Sequence, residues 1–282
     1  MMMKMAINLV ASAALFVFVH SAAFADVAAN YFGGLGETPA TRMENFLYGK
    51  VESFKWKEFD DGGNRLLKES GPRYGVGYSG SLIRDRAFFR PRAEYFRGTV
   101  DYDGQTQSGT PVQTDTGYWG LKIEGDAGGI IPLANWISVE PFGGLGYSYW
   151  VRDIKSTGQA IGYKEYWDSV YLRLGLRGEG GPESSPSLKA FGVIGVKWPF
   201  SNTNTADLPG IGKVKLEPGH DPSLFAETGI RYRFLSAAFF YDSMRFSKSA
   251  EVIIPVSQTQ TLVVFQPKST ADIFGVNLGL VF

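Results

Sequence analysis

Apolar and polar side chains alternate with a period of two along most of this 282-residue chain. The segment 164–179 shows the pattern, because every second residue from Val170 to Leu176 is aliphatic while Arg173 and Arg177 occupy the opposite face. Successive side chains of a β-strand point to opposite faces, so this period indicates strands. The 35 glycines agree, since each costs about 1 kcal/mol inside a helix. The sequence therefore predicts an all-β fold.

Ten strands are predicted from this alternation, at residues 43–57, 72–84, 87–102, 114–127, 136–151, 164–179, 187–200, 222–234, 237–248 and 271–282. The connections between them alternate without exception between long and short, and the long ones are 58–71, 103–113, 152–163, 201–221 and 249–270. Transmembrane barrels sort their connections in this way, with short periplasmic turns and long extracellular loops. A sheet inside a bilayer must also close, because hydrocarbon cannot satisfy a free edge. We therefore predict a ten-stranded antiparallel transmembrane β-barrel.

Charged residues occupy the face of these strands that would line the lumen. They are Arg90, Arg92, Glu94, Lys122, Glu124, Glu140, Arg173, Arg177, Glu227, Arg231 and Arg233. Opposed charges inside a barrel wall must pair or stay hydrated, and ten strands enclose far less space than the 16–18 strands of wide pores. A mostly side-chain-filled lumen is the prediction, with a narrow channel as an alternative. A soluble β-sandwich is a second alternative, which this charged interior face disfavours.

The first 25 residues have the form of an export signal. Lys4 precedes an uncharged apolar stretch that ends in Ala23-Phe24-Ala25, a small-x-small cleavage pattern. We predict cleavage before Asp26, a periplasmic lead-in over 26–42 and the barrel over 43–282. An N-terminal membrane anchor is the alternative interpretation of the first segment.

Composition excludes several chemistries. The chain has no Cys, so it can hold no disulfide framework, zinc-thiolate site or cysteine nucleophile. Its formal charge is zero, which argues against a nucleic-acid partner. An Asp-rich segment at 60–64 lacks the remaining ligand spacing of a calcium loop. We expect no metal and no cofactor.

The last predicted strand carries a recognisable motif. One face consists entirely of apolar residues, namely Phe274, Val276, Leu278, Leu280 and Phe282. This strand resembles the assembly signal of Gram-negative outer-membrane β-barrels. The resemblance implies an outer-membrane location, contact with outer-membrane lipid and lipopolysaccharide, and recognition by the barrel-assembly machinery.

A narrower resemblance is to the omptins, ten-stranded outer-membrane proteases. Asp101-Tyr102-Asp103 lies where omptins carry an Asp-x-Asp pair, and Ala160-Ile161-Gly162-Tyr163-Lys164 is similar to an omptin segment entering the sixth strand. Gly219-His220-Asp221 holds the only His beyond the predicted signal, although Pro218 breaks the omptin Asp-x-His pattern. The resemblance implies an endopeptidase in which Asp101 and Asp103 orient a water and His220, helped by Asp221, is the base.

Three functions therefore remain open at the level of sequence. The first is a structural or surface-interaction role through the extracellular loops, with an unknown extracellular partner. The second is the omptin-like endopeptidase, and the third is the narrow channel. Within the last long loop, apolar alternation over 251–265 also predicts a hairpin that extends the barrel beyond the membrane.

Overall fold

A computed structural model describes residues 41–106, 109–158, 160–185, 187–255 and 261–282. These residues form strands and connections without a helix, and the strands are β1 (Thr41–Phe59), β2 (Arg65–Arg84), β3 (Ala87–Gln105), β4 (Pro111–Gly129), β5 (Ile131–Ala134), β6 (Ile137–Ile154), β7 (Lys164–Gly180), β8 (Leu188–Leu208), β9 (Gly212–Leu216), β10 (Ser223–Tyr232), β11 (Leu235–Phe246), β12 (Val252–Pro255), β13 (Thr261–Val264) and β14 (Lys268–Val281). In the described part of the chain, no helix is long and apolar enough to cross a membrane. The predicted signal peptide and its cleavage site lie outside the described residues.

Ten of these strands close into an antiparallel barrel. The hydrogen-bonded order is β1-β2-β3-β4-β6-β7-β8-β10-β11-β14, and β14 pairs back onto β1. The seam runs from Phe46 opposite Val281 to Phe59 opposite Lys268. This closure confirms the predicted ten-stranded antiparallel barrel, and it leaves no free edge among the barrel strands.

The strands extend further than predicted at the long-loop end. β2 begins at Arg65, so the connection after β1 shrinks to residues 60–64. β8 continues to Leu208 and returns as β9, while β12 and β13 form a separate two-stranded hairpin. The sequence pattern misses the extension of β2 because the buried residue Leu67 there faces inward, in a phase opposite to the apolar residues lower in the barrel.

The outer wall carries an apolar belt with a charged rim. Leu174 on β7, Phe239 on β11 and Phe274 on β14 are each more than half exposed on the outside. Toward the long-loop end the outward residues become charged, as with Lys55 on β1 and Lys164 on β7. Within the belt, the apolar side chains therefore face outward, as in a membrane protein. Beyond the belt, the polar side chains face outward, as in a soluble protein.

Two glycines show how the lumen is packed. A Cβ added at Gly146 would lie 2.2 Å from the Tyr171 ring, and one at Gly77 would lie 2.2 Å from the Tyr48 ring. Each ring thus crosses the space above its glycine. The Tyr48 hydroxyl donates to Glu94 at 2.6 Å, and the Tyr171 hydroxyl donates to Glu124 at 2.9 Å. Glycine at these positions lets both rings reach the lumenal charges.

Candidate functional site

The lumen of the short-turn half holds a network of charged side chains. Ten of the eleven charged residues predicted for the lumen lie in it. They are Arg90, Arg92, Glu94, Lys122, Glu124, Glu140, Arg173, Arg177, Glu227 and Arg231. The exception is Arg233, which is exposed in the two-residue turn between β10 and β11 with a φ of 54°. The prediction for Arg233 was wrong because β10 ends at Tyr232, so the alternation that turns Arg231 inward does not continue into the turn.

Lysines bridge acids from several strands within this network. Lys50 Nζ lies 2.9 Å from carboxylate oxygens of both Glu52 and Glu94. Lys122 Nζ lies 3.2 Å from Glu94 and 3.3 Å from Asp242. Several of these partners were not predicted from the sequence, and they include Lys50, Glu52, Arg73, Asp126, Lys197 and Asp242. The paired charges fill most of the lumen, and nearly every charged group has an opposite charge within ion-pair distance.

A cavity of about 100 Å³ remains between these side chains. Its lining includes Arg92, Arg173, Arg177 and Glu227. This volume has room for a small cluster of water molecules bonded to the charged groups. It gives no wide aqueous path through the barrel.

Above the charges, an aromatic layer crosses the lumen, formed by Trp56, Trp150, Trp167 and Phe246. The Trp56 and Trp167 ring centroids are 5.2 Å apart, and Trp167 stacks on Trp150 at 5.2 Å. Trp56 lies on β1 and Trp167 on β7, the fifth strand from β1 in either direction around the ring. Side chains from opposite walls therefore meet at the barrel axis. All four are at most 4% exposed.

A buried ionic cluster caps the aromatic layer. Arg152 donates to Glu69 at 3.0 Å, to Glu58 at 3.0 Å and to Glu165 at 2.9 Å. The Trp56 indole donates to Glu58 and the Trp167 indole to Glu165, each at 2.9 Å. The cluster joins one cation to three carboxylates, so it carries a surplus of negative charge. Across the described ranges, no group of three His, Cys, Asp or Glu side chains has metal-binding geometry.

Glu58 makes the stability of this cluster depend on pH. Burial, opposed by Arg152 and reinforced by Glu165, raises the pKa of Glu58 above its usual value. The folded barrel then holds this proton more tightly than the unfolded chain, so stability falls as the pH rises from the usual glutamate range toward the raised pKa.

We expect Glu58→Gln to remove this slope. The free energy of unfolding, measured by urea titration in lipid vesicles at several pH values, should vary less with pH in the variant than in the wild type. Glu183→Gln, at an exposed position in a short turn, is the control and should keep the wild-type slope. Identical slopes for the Glu58 variant and the wild type would contradict the assignment.

The predicted catalytic aspartates point away from the lumen. Tyr102, which lies between them, packs against the buried core, so Asp101 and Asp103 face the outside of β3. Asp103 accepts a hydrogen bond from Arg65 at 3.1 Å. Asp101 lies opposite Asp115 on β4, which is also exposed.

His220 and Asp221 lie on the far side of the barrel. They precede β10, which is the fifth strand from β3 around the ring. His220 is exposed, and its Nδ1 lies 3.4 Å from the Asn202 amide nitrogen. Asp221 accepts from the Ser247 hydroxyl at 2.7 Å. The structure therefore does not bring these two residues together with Asp101 and Asp103.

The long-loop end presents exposed aliphatic residues. Ile161 is 76% exposed in the segment after β6, and Ile253 is 67% exposed on the β12–β13 hairpin. In that hairpin Ile253 lies opposite Val263, and Ile254 lies opposite Leu262. These residues stand beyond the apolar belt, where a surface partner could reach them.

The fold matches solved outer-membrane barrels. Outer membrane protease OmpT from Escherichia coli superposes with a TM-score of 0.55 at 10% identity, over 88% of this chain and 97% of that one. The Bordetella autotransporter BrkA β-domain matches at 0.42 and 11% identity over 83% and 98% of the two chains. A major outer membrane protein from Thermus thermophilus matches at 0.38 and 14% identity over 83% and 99%. No family model and no curated protein matches the sequence.

At these identities the likeness concerns the fold alone. The closed barrel shares the general architecture of OmpT, which agrees with the omptin resemblance at the level of the fold.

Proposed function

We propose that this protein is a non-conducting barrel of the Gram-negative outer membrane that acts through its extracellular end. The observation that carries the proposal is the contact between Trp56 and Trp167, which joins opposite walls across the lumen. A conducting path would have to pass this buried aromatic layer, the ionic cluster of Arg152 above it and the paired charges below it. The part left free to act is the rim of loops and hairpins.

The geometry gives the two alternatives less support. A narrow channel needs continuous water, whereas Trp167 is 0% exposed at the axis. An endopeptidase needs a base and a carboxylate within reach of one water. Asp101 and Asp103 face outward on β3, while His220 stands beside Asn202 across the ring.

One preparation tests the closed lumen against both alternatives. The purified full chain, refolded into planar bilayers, should show no discrete conductance steps under conditions in which a general porin does. The same sample should leave a library of unstructured peptides intact. Conductance that changes in Trp167→Ala would overturn the closed lumen, and cleavage lost in both His220→Ala and Asp103→Asn would establish the endopeptidase instead.

The last strand supports the proposed location and route of assembly. β14 and the residue that follows it present Phe274, Leu278, Leu280 and Phe282 on the outer wall, each between 48% and 70% exposed. This face agrees with the predicted signal for the barrel-assembly machinery. The proposed arrangement places the short turns in the periplasm and the long loops outside the cell.

A further inference from the structure

Four arginines surround the lumenal cavity at the short-turn end of the barrel. These mouth arginines are Arg90 and Arg92 on β3, Arg177 on β7 and Arg231 on β10. The cavity lining reaches Ser81 and Ser236, which lie close to two of the short turns. Arg90, Arg92 and Arg231 keep between 21% and 28% of their side chains exposed. A small solute can therefore reach these arginines from the short-turn end.

The ion pairs around the mouth arginines leave positive charge in excess. Five cations, the four arginines and Lys189, face only four carboxylates, which belong to Glu44, Glu140, Glu179 and Glu227. The acids are shared, since Glu140 contacts two mouth arginines and Glu44 also contacts Arg42. Like charges gathered in a poorly hydrated space repel one another, so folding alone gives no reason for the excess.

Aromatic rings hold three of the mouth arginines in fixed orientations. The guanidinium carbon of Arg90 lies 4.1 Å from the centre of the Phe88 ring. Those of Arg177 and Arg231 lie 4.5 Å and 5.3 Å from the centre of the Phe191 ring. Each ring covers a face of the planar guanidinium, while the N–H donors radiate from its edge. The donors are therefore oriented before any ligand arrives.

Some polar atoms on the cavity lining have no partner. Arg177 is 7% exposed, yet its Nε makes no hydrogen bond within the described part of the chain. Glu140 Oε2 lies 3.5 Å from that nitrogen, which is too long for a good hydrogen bond. Two acceptors on the same lining, Glu124 Oε2 and Asn277 Oδ1, are also unpaired. Unpaired buried groups are costly, so the cavity favours an occupant that both accepts and donates hydrogen bonds.

We infer that this cavity binds a hydrogen phosphate group that enters from the short-turn end. Water would satisfy the unpaired atoms, but it would leave the excess positive charge unbalanced. A hydrogen phosphate carries negative charge and acceptor oxygens for the guanidinium groups, and its P–OH group is a donor for Glu124 or Asn277. Its tetrahedral oxygens also suit arginines that come from three different strands. Sulfate lacks the hydroxyl at neutral pH, and a carboxylate is planar.

This site lies at the opposite end of the barrel from the loops of the proposed function, and it needs no conduction. Its exposure to the periplasm rests on the proposed orientation. The phosphate group belongs either to free hydrogen phosphate or to a phosphate monoester of a larger molecule. The two sources share the recognised chemistry, and the test separates them.

Isothermal titration calorimetry of the full chain in detergent micelles tests the site at about pH 6, where a monoester still keeps part of its P–OH group. The titrants are inorganic phosphate, glycerol 3-phosphate, sulfate and acetate. Arg177→Lys keeps the charge but removes the Nε donor and the planar fork. Arg73→Lys is the matched control, because Arg73 is 3% exposed, lies over the Phe54 ring and donates to Glu52, but does not line this cavity.

The wild type should bind phosphate saturably and at least about tenfold more tightly than sulfate or acetate. Arg177→Lys should weaken phosphate binding at least about tenfold, as expected for the loss of a charged hydrogen bond, and Arg73→Lys should leave it unchanged. Tighter binding of glycerol 3-phosphate than of inorganic phosphate would identify a monoester as the source. The reverse order would identify free phosphate.

A second pair of variants keeps the test decisive if Arg177→Lys does not refold. Arg231→Gln removes one partly exposed charge, while its acids keep other cations, since Arg42 contacts Glu44 and Arg177 contacts Glu179. This change should weaken phosphate binding about fivefold, as expected for one partly hydrated hydrogen bond. Arg233→Gln removes the same charge two residues away in the exposed turn and should not change the affinity.

Four results would each overturn the inference. They are no binding of phosphate or its monoester by the wild type, equal affinity for phosphate and for sulfate or acetate, unchanged affinity in a folded Arg177→Lys variant, and equal weakening in Arg231→Gln and Arg233→Gln. A barrel that conducts ions yet binds phosphate selectively would overturn the non-conducting function and leave this inference intact. A closed barrel that binds no phosphate would do the reverse.

Discussion

Replacing Arg152 with methionine is expected to lower the free energy of unfolding of the barrel by about 3–5 kcal/mol. Arg152 is 1% exposed and holds Glu58, Glu69 and Glu165 together above the aromatic layer. Removing its charge leaves three buried carboxylates with no cation. Their mutual repulsion and their lost hydration then raise the free energy of the folded state. Urea titration of the barrel in lipid vesicles measures the loss.

Two further variants separate charge from volume in this experiment. Arg97→Met makes the same substitution at an exposed position on β3 and should cost far less. Adding Glu58→Gln and Glu165→Gln to Arg152→Met should restore a substantial part of the loss. The loss should also shrink at acid pH, because protonation neutralises the carboxylates. A loss that persists unchanged in the triple variant would assign it to packing.

Trp167→Ala is the second substitution with a large expected effect. The indole is 0% exposed, contacts Trp56, Trp150 and Phe246, and donates to Glu165. Truncating a fully buried aromatic residue costs about 3–5 kcal/mol through lost contacts and the cavity left behind. The variant should therefore unfold at clearly lower urea concentration.

Trp136→Ala provides the matched comparison. Trp136 is 55% exposed beside a short turn, so its removal should change the unfolding midpoint much less. Refolding of both variants is checked by the temperature at which their mobility in an electrophoresis gel changes. Equal midpoints for the two variants would show that the aromatic layer does not stabilise the barrel.

Much of the fold could be predicted because a membrane wall imposes a simple pattern. On β7, Leu172, Leu174 and Leu176 face the lipid while Arg173 and Arg177 face the lumen. The alternation of the sequence predicts these two faces directly. The alternation of long and short connections adds the prediction that the sheet closes and which end carries the long loops. The same logic placed ten charged residues correctly in the lumen, although it missed partners such as Lys50, Glu52 and Asp242.

Beyond the belt the pattern reverses, and there the predictions lost accuracy. On β1 the inward face changes from Lys50 and Glu52 to Phe54 and Trp56, while Lys55 and Lys57 face outward. The strand keeps its period of two, but the solvent outside it changes from lipid to water. The same alternation therefore passes through two opposite environments. In the sequence, the apolar residues shift from the outward positions to the inward ones, which looks like a change of phase.

The candidate catalytic set depended on information that local sequence does not hold. Asp101 and Asp103 share a face whichever way β3 points, so spacing could not tell the lumen from the outside. Their outward direction follows from the pairing of Val100 and Tyr102 with the buried interior. The ionic cluster of Arg152 was missed because its members are far apart in the chain, with Arg152 lying 94 residues after Glu58.

The lumenal ion pairs also have a consequence for how the barrel forms. Glu44 on the first strand lies 3.2 Å from Arg231, 187 residues later, and Arg92 lies 3.1 Å from Glu227, 135 residues later. Neither pair can exist before the ends of the sheet meet, so neither can speed the early pairing of neighbouring strands. Such long-range contacts slow folding, because they form only in its final step. Once formed, they should slow the opening of the seam and so lower the unfolding rate of the finished barrel.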